Sequence, residues 1–153
     1  VLNNQMDDFS AQPGKANAFG LIQSEANTIA AGKRPLSSMT PTIVVRDGKA
    51  IHVVGASGGP RIISSTMQVL LNQILYEMPP EKAVAQPRFH HQWLPDKLML
   101  EPKLYSALHQ ELGRRGHTVV QASTLATVQS ASCSPSGVQG ASDPRKFGRA
   151  AGY

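Results

Sequence analysis

Two β-branched runs, Thr42-Ile43-Val44-Val45-Arg46 and Ile51-His52-Val53-Val54-Gly55, stand on either side of Asp47-Gly48-Lys49. Asp-Gly between such runs favours a tight turn with positive φ, so residues 42–55 are expected to form an antiparallel hairpin. The hairpin feeds into Gly58-Gly59-Pro60, and there the apolar period changes. Ile63, Met67, Leu70, Leu71, Ile74, Leu75 and Met78 recur at helical spacing. A helix is expected over 62–78, opened by a proline suited to a first turn and ended by Pro79-Pro80. A short helix at 81–85 and another over 104–115 follow, the latter with Leu104, Leu108 and Leu112 as its seam and Gly116 as its close. Strands are expected at 97–101, 118–121, 126–132 and 138–142, the last two joined by Ser134-Pro135-Ser136-Gly137. Strands, helices and strands again, without βαβ alternation, predict a layered α+β fold rather than a doubly wound sheet. Residues 5–34 are rich in Gly, Asn, Ala, Ser and Pro and have no sustained period, which points to long surface loops.

Composition removes several function classes. The chain has 153 residues, enough for one core, and carries 15 Lys and Arg against 10 Asp and Glu. These charges fall singly or in pairs, aromatics are 5%, and Trp93 is the only tryptophan. Nucleic-acid binders instead gather basic residues and interleave them with stacking aromatics. Cys133 is the only cysteine, so neither an internal disulfide nor a cysteine zinc cage can form. No 18-residue apolar run is present. The opening Val1-Leu2-Asn3-Asn4 reads as the interior of a strand that begins upstream.

Four segments could carry chemistry. Asn3-Asn4-Gln5-Met6-Asp7-Asp8-Phe9-Ser10 concentrates carboxylates and amides that can together bind an ammonium group, or that simply form a polar loop with an Asx-turn. Pro35-Leu36-Ser37-Ser38-Met39-Thr40-Pro41 holds two hydroxyls in a stretch kept extended by prolines. They can donate to a carboxylate or cap a turn, and no Gly-x-Ser-x-Gly elbow surrounds them. Gly55-Ala56-Ser57-Gly58-Gly59-Pro60 joins strand to helix, which suits an oxyanion at a helix N-terminus or a turn needing positive φ. It lacks the lysine of a phosphate-binding loop. His90-His91 are adjacent and have no carboxylate at metal-ligand spacing, so a structural or surface role is expected. Arg88, Trp93 and Asp96 are expected to pack and pair within the same segment.

LNNQMDDFS at 2–10, KRPLSSMTPTIVV at 33–45, GASGGPRI at 55–62, PRFHHQWLPD at 87–96, GASDPR at 140–145 and AGY at 151–153 occur in one order. Together they strongly resemble the small subunit of γ-glutamyltranspeptidases, over nearly the whole chain. The resemblance implies part of an αββα four-layer sandwich of the N-terminal-nucleophile hydrolase type, made as a self-cleaving precursor. It implies hydrolysis and transfer of γ-glutamyl groups, with glutathione as donor and no metal or organic cofactor. Gln5 and Asp8 would bind the α-amino group, Ser37 and Ser38 the α-carboxylate, and the backbone N–H groups of Gly58 and Gly59 the oxyanion. The loop at 13–24 would be a lid gated by Phe19, where many bacterial relatives carry tyrosine. The missing hydroxyl removes a hydrogen bond but not the packing role. The nucleophile, a threonine whose own α-amino group is the base, is expected upstream of Val1, so this chain alone is expected to be inactive. The expected partners are a large subunit and the preceding part of the small subunit, and the expected location is periplasmic or secreted. Two alternatives remain: another acylase of the superfamily, for cephalosporins or poly-γ-glutamate, and a noncatalytic binding remnant.

Overall fold

The computed structural model describes residues 4–152. The expected strand interior at residues 1–3 lies outside them. Strand β1 (Thr42–Arg46) and strand β2 (Lys49–Ser57) form the hairpin, and both turn residues take positive φ, Asp47 at 50° and Gly48 at 73°. That pair of angles matches the right-handed twist of the flanking strands. Helix α1 (Arg61–Ile74), helix α2 (Pro80–Ala85), strand β3 (Phe89–His90), strand β4 (Leu98–Leu100) and helix α3 (Pro102–Arg114) follow. Strands β5 (Val119–Gln121), β6 (Thr127–Ser134) and β7 (Gly137–Ala141) complete the order, and the fold is α+β.

One sheet is antiparallel in the order β1-β2-β6-β7, and a smaller one runs β3-β4-β5 with β4 and β5 parallel. Helices α1 and α2 cover one face of the larger sheet. Val54, Val69, Ala83, Val84, Val128 and Ala141 form the core between them, each valine at most 2% exposed. Full burial of such a side chain contributes about 1.5–3 kcal/mol. Period-two alternation turns Ile43, Val45 and Val53 to the opposite face, where they are 64%, 58% and 39% exposed.

Helix α1 stops at Ile74, short of the expected 78. Glu77 enters the left-handed region at φ 52°, and Met78 N–H reaches back to Asn72 O at 3.0 Å, so the chain leaves the helix before the prolines. Trp93, expected to pack, is instead 76% exposed with φ 69° on a loop where His91 pairs with Asp96 at 3.0 Å. The Leu104-Leu108-Leu112 seam of α3 is only partly covered and, with α1, lines an open groove of about 670 Å³.

Below the core lies a buried charge cluster. Arg88 meets Asp143 at 2.8 Å with both side chains at most 1% exposed. Glu101 accepts from Arg145 Nε at 2.7 Å and from the backbone N–H groups of Arg88 and Leu125, both at 2.9 Å. Asp143 accepts from Val128 N–H at 2.8 Å and Arg145 N–H at 3.0 Å. Burial pushes both carboxyl pKa values up, but these donors outweigh it and hold Glu101 below 4.5 and Asp143 below 3.8. A depressed carboxylate contributes stability that is complete above its unfolded pKa and is lost as pH falls through the lower folded value. Glu101→Gln is therefore expected to cost about 3 kcal/mol, roughly 6–12 °C in Tm at neutral pH, and to flatten the decline in Tm below about pH 4.5. Thermal unfolding as a function of pH checks this.

Candidate active site

The segment at residues 4–36 carries little core of its own and is fixed by amide side chains. A single 3-10 turn, Gln5–Asp8, sets the two carboxylates on different sides. Asp8 lines a cavity of about 470 Å³, whereas Asp7 lines a separate depression with Lys15 and Asn17. Gln5 lies on the same turn, exposed and outside the set of residues lining the larger cavity.

Asn27 ties this turn to the serine pair. Its Nδ2 donates to Asp8 O at 2.7 Å, its Oδ1 accepts from Leu36 N–H at 2.9 Å, and its own carbonyl accepts from Ser10 N–H at 3.0 Å. Leu36, Ser37 and Ser38 then line the cavity opposite Asp8. Ser37 Oγ accepts from Met39 N–H at 3.2 Å, an ST-type turn that leaves the hydroxyl proton available to a ligand.

Strand β2 leads through Gly58 and Gly59 to the start of α1, where Pro60, just before the helix, and Ile63 and Ser64 within it line the cavity. Both glycines have positive φ, 146° and 60°. A Cβ at Gly58 would lie 2.7 Å from Ala126 Cβ, and one at Gly59 would lie 2.5 Å from Phe19 Cζ. The positive-φ turn expected from the two glycines is therefore present, and it leads directly into a helix N-terminus. Ala126 is itself left-handed at φ 61°, and its carbonyl accepts from Arg88 at 3.4 Å. Leu125 O accepts from Ser65 Oγ of α1 at 3.0 Å. The charge cluster therefore backs the glycine turn through Leu125-Ala126.

Phe19, 40% exposed, lines the cavity at the tip of a loop bridged by Ala16 and Ile22. Asp8, Ser37, Ser38 and Phe19 thus surround one cavity beside the glycine turn. Asn27 and Ala126 had no sequence signal: one is an amide in a polar loop, the other a small residue whose role is a close approach. Among the described residues, no three His, Cys, Asp or Glu side chains gather to hold a metal.

The sequence pattern of the Gamma-glutamyltranspeptidase family matches residues 1–153, and the chain belongs to that family. It is 47% identical over 146 residues to the glutathione hydrolase proenzyme of Escherichia coli, covering 95% of this chain and 25% of that protein. The chain thus spans about a quarter of that relative's length. Among solved structures, the γ-glutamyltranspeptidase of Pseudomonas nitroreducens complexed with L-DON superposes with a TM-score of 0.91 at 43% identity, covering 100% of this chain and 81% of that one. A cephalosporin acylase from Bacillus halodurans shares the fold, with a TM-score of 0.80 at 24% identity, covering 99% of this chain and 27% of that one.

Replacing Asn27 by Ala removes its side-chain bonds to Asp8, Leu36 and Gln23 at once. Loss of a hydrogen bond worth about 1 kcal/mol should speed amide exchange at Leu36 roughly fivefold, without a comparable change at Val54 in the core. Residue-resolved hydrogen exchange provides the comparison.

Proposed function

We propose that this chain holds the γ-glutamyl group in an enzyme that hydrolyses or transfers it, with glutathione as the default donor. The observation that carries the reading is one cavity lined by a carboxylate, a hydroxyl pair and the start of α1, the helix that follows directly on the glycine turn. A γ-glutamyl group ends in both an ammonium and a carboxylate, so its two charges need opposite partners. Asp8, with Gln5 on the same turn, would accept from the ammonium, and Ser37 and Ser38 would donate to the carboxylate. That grip would present the γ-carbonyl to the backbone N–H groups of Gly58 and Gly59.

The expected nucleophile, an N-terminal threonine, is supplied by a preceding segment of the small subunit. Its hydroxyl attacks the γ-carbonyl while its α-amino group takes the proton, and the oxyanion is stabilised at the glycine turn. On collapse the C–N bond breaks and the threonine α-ammonium returns its proton to the departing cysteinyl amine as the acyl-enzyme forms, and water or an amino acid then takes the acyl group. Support for the partner segments comes from the bare apolar face of the large sheet, where Ile43, Val45 and Val53 await a second layer. The proenzyme description of the relative agrees with a cleaved precursor. No helix among the described residues is long and apolar enough to cross a membrane. A periplasmic or secreted location follows from the family resemblance. The cephalosporin-acylase alternative has the likeness of fold and no feature of this cavity in its favour.

In the complete enzyme, Asp8→Ala is expected to lower kcat/KM for a γ-glutamyl anilide by about 2–5 kcal/mol, because a bound ammonium loses its ion partner. Asp7→Ala, on the other side of the turn, is expected to cost far less. Equal losses would remove Asp8 from the site. Ser37→Ala and Ser38→Ala should each cost roughly 1.5–3 kcal/mol toward that donor and less toward a 4-aminobutyryl anilide, which lacks the α-carboxylate and retains only the ammonium. Steady-state kinetics with the paired donors measure the difference, and an unchanged donor ratio would reject the carboxylate role.

A further inference from the structure

Gln92 lies under the tip of the 13–24 loop. Its Nε2 donates to Phe19 O at 2.8 Å and to Leu94 O at 3.1 Å. Its Oε1 lies 2.9 Å from His90 Nε2, and His90 Nδ1 lies 2.7 Å from Ser64 Oγ on α1. An amide oxygen only accepts, so His90 carries a proton on Nε2. Its Nδ1 faces the Ser64 hydroxyl, which also lies 3.2 Å from Arg61 O, and the residue is only 3% exposed. Burial lowers the His90 pKa, opposed by the Gln92 hydrogen bond and assisted by the charges of Arg61 and His91. The Gln92 amide cannot turn over without setting its oxygen against the carbonyls of Phe19 and Leu94, so its donor is held toward Phe19.

The loop tip has its own internal order. Asn17 Oδ1 accepts from the N–H groups of Phe19 at 3.0 Å and Leu21 at 3.1 Å. Those bonds shape the tip without tying it to the rest of the protein. The ties are the Phe19 ring over Gly59, Gly20 against Pro95, and the Gln92 bond to Phe19 O. The first two are apolar and tolerate sliding, whereas the hydrogen bond is directional and fixes register.

We propose that Gln92, oriented by His90, is a positioning residue that latches the 13–24 loop closed over the substrate cavity. The latch, which rests on the γ-glutamyl reading of that cavity, sets how long the loop stays shut over a bound donor. It makes no contact with the reacting carbonyl. Its loss therefore acts on retention of the donor rather than on the chemical step.

Lys15 is exposed within the same loop and offers a tryptic site that reports its opening. In the complete enzyme, Gln92→Glu keeps the shape but cannot donate to Phe19 O, and Gln92→Ala removes the side chain. Both are expected to speed native-state nicking after Lys15 about threefold to tenfold and to raise KM for a γ-glutamyl anilide by a similar factor, with kcat within twofold. Nicking after Lys15 that stays at the wild-type rate in both variants would overturn the latch, whatever KM does. Nicking spread over other lysines and arginines would report general loosening and would overturn it too. Faster nicking at Lys15 with unchanged KM would keep the latch and reject the cavity reading, and an unchanged KM in Phe19→Ala would mark that same failure independently.

Discussion

Two arginines and two carboxylates, removed from water together, hold the parts of this chain in register. Desolvating an ion costs several kcal/mol, and the cost is offset only when each charge finds close partners. Here Glu101 and Asp143 meet guanidinium groups and backbone N–H groups at once. Those donors belong to segments far apart in sequence: the start of β3, the loop before β6, and the turn after β7. Arg145 also donates to Val84 O at 2.9 Å and Gln86 O at 2.8 Å, closing the end of α2. An apolar core of the same volume could supply the stability, but not the fixed directions in which these backbone groups point. Glu101 stands where β4 gives way to α3, and Asp143 follows β7, so the cluster joins the small sheet to the large one.

The same cluster reaches the glycine turn by contact. Glu101 takes the N–H of Leu125, Arg88 takes the carbonyl of Ala126, and Ala126 presses on Gly58. Holding a non-glycine residue at φ 61° costs on the order of 1 kcal/mol, and it persists because its neighbours on both sides are bonded. Oxyanion donors help a reaction only when they are aimed in advance and need no reorganisation. In the proposed reading, the charged anchor one residue behind the turn provides that aim.

What the sequence made legible was local or periodic. Asp47-Gly48 dictates its turn through two φ angles, and the helical period of α1 is written in its own side chains. The end of α1 was not legible, because Glu77 takes a left-handed angle that its residue type does not announce. Arg88 reads as a pairing residue, yet its partner Asp143 lies beyond one helix and five strands, and no window of sequence connects them. Trp93 invites a core assignment by its size, although a loop can hold it in solvent. The site residues came from the family resemblance, and their placement around one cavity depends on Asn27, an amide indistinguishable from its polar neighbours until the loop is folded.

Gly58 and Gly59 are adjacent but serve different neighbours. A side chain at Gly58 would strike Ala126, which belongs to the charged anchor, whereas one at Gly59 would strike the Phe19 ring, which belongs to the loop. The turn is thus pressed from below by the densely bonded charge cluster and from above by a part held through a few hydrogen bonds. On the proposed acyl-transfer reading the two demands are opposed: donors for a developing charge must not move, while the cover over a substrate must open for every exchange of donor and product. On that reading, a cover built into the charge cluster would be too slow to release product, and an oxyanion turn hung on the loop would lose its aim with each opening. Two glycines in a row let one turn satisfy both, since only a residue without Cβ can be approached from each side by an element of different stiffness.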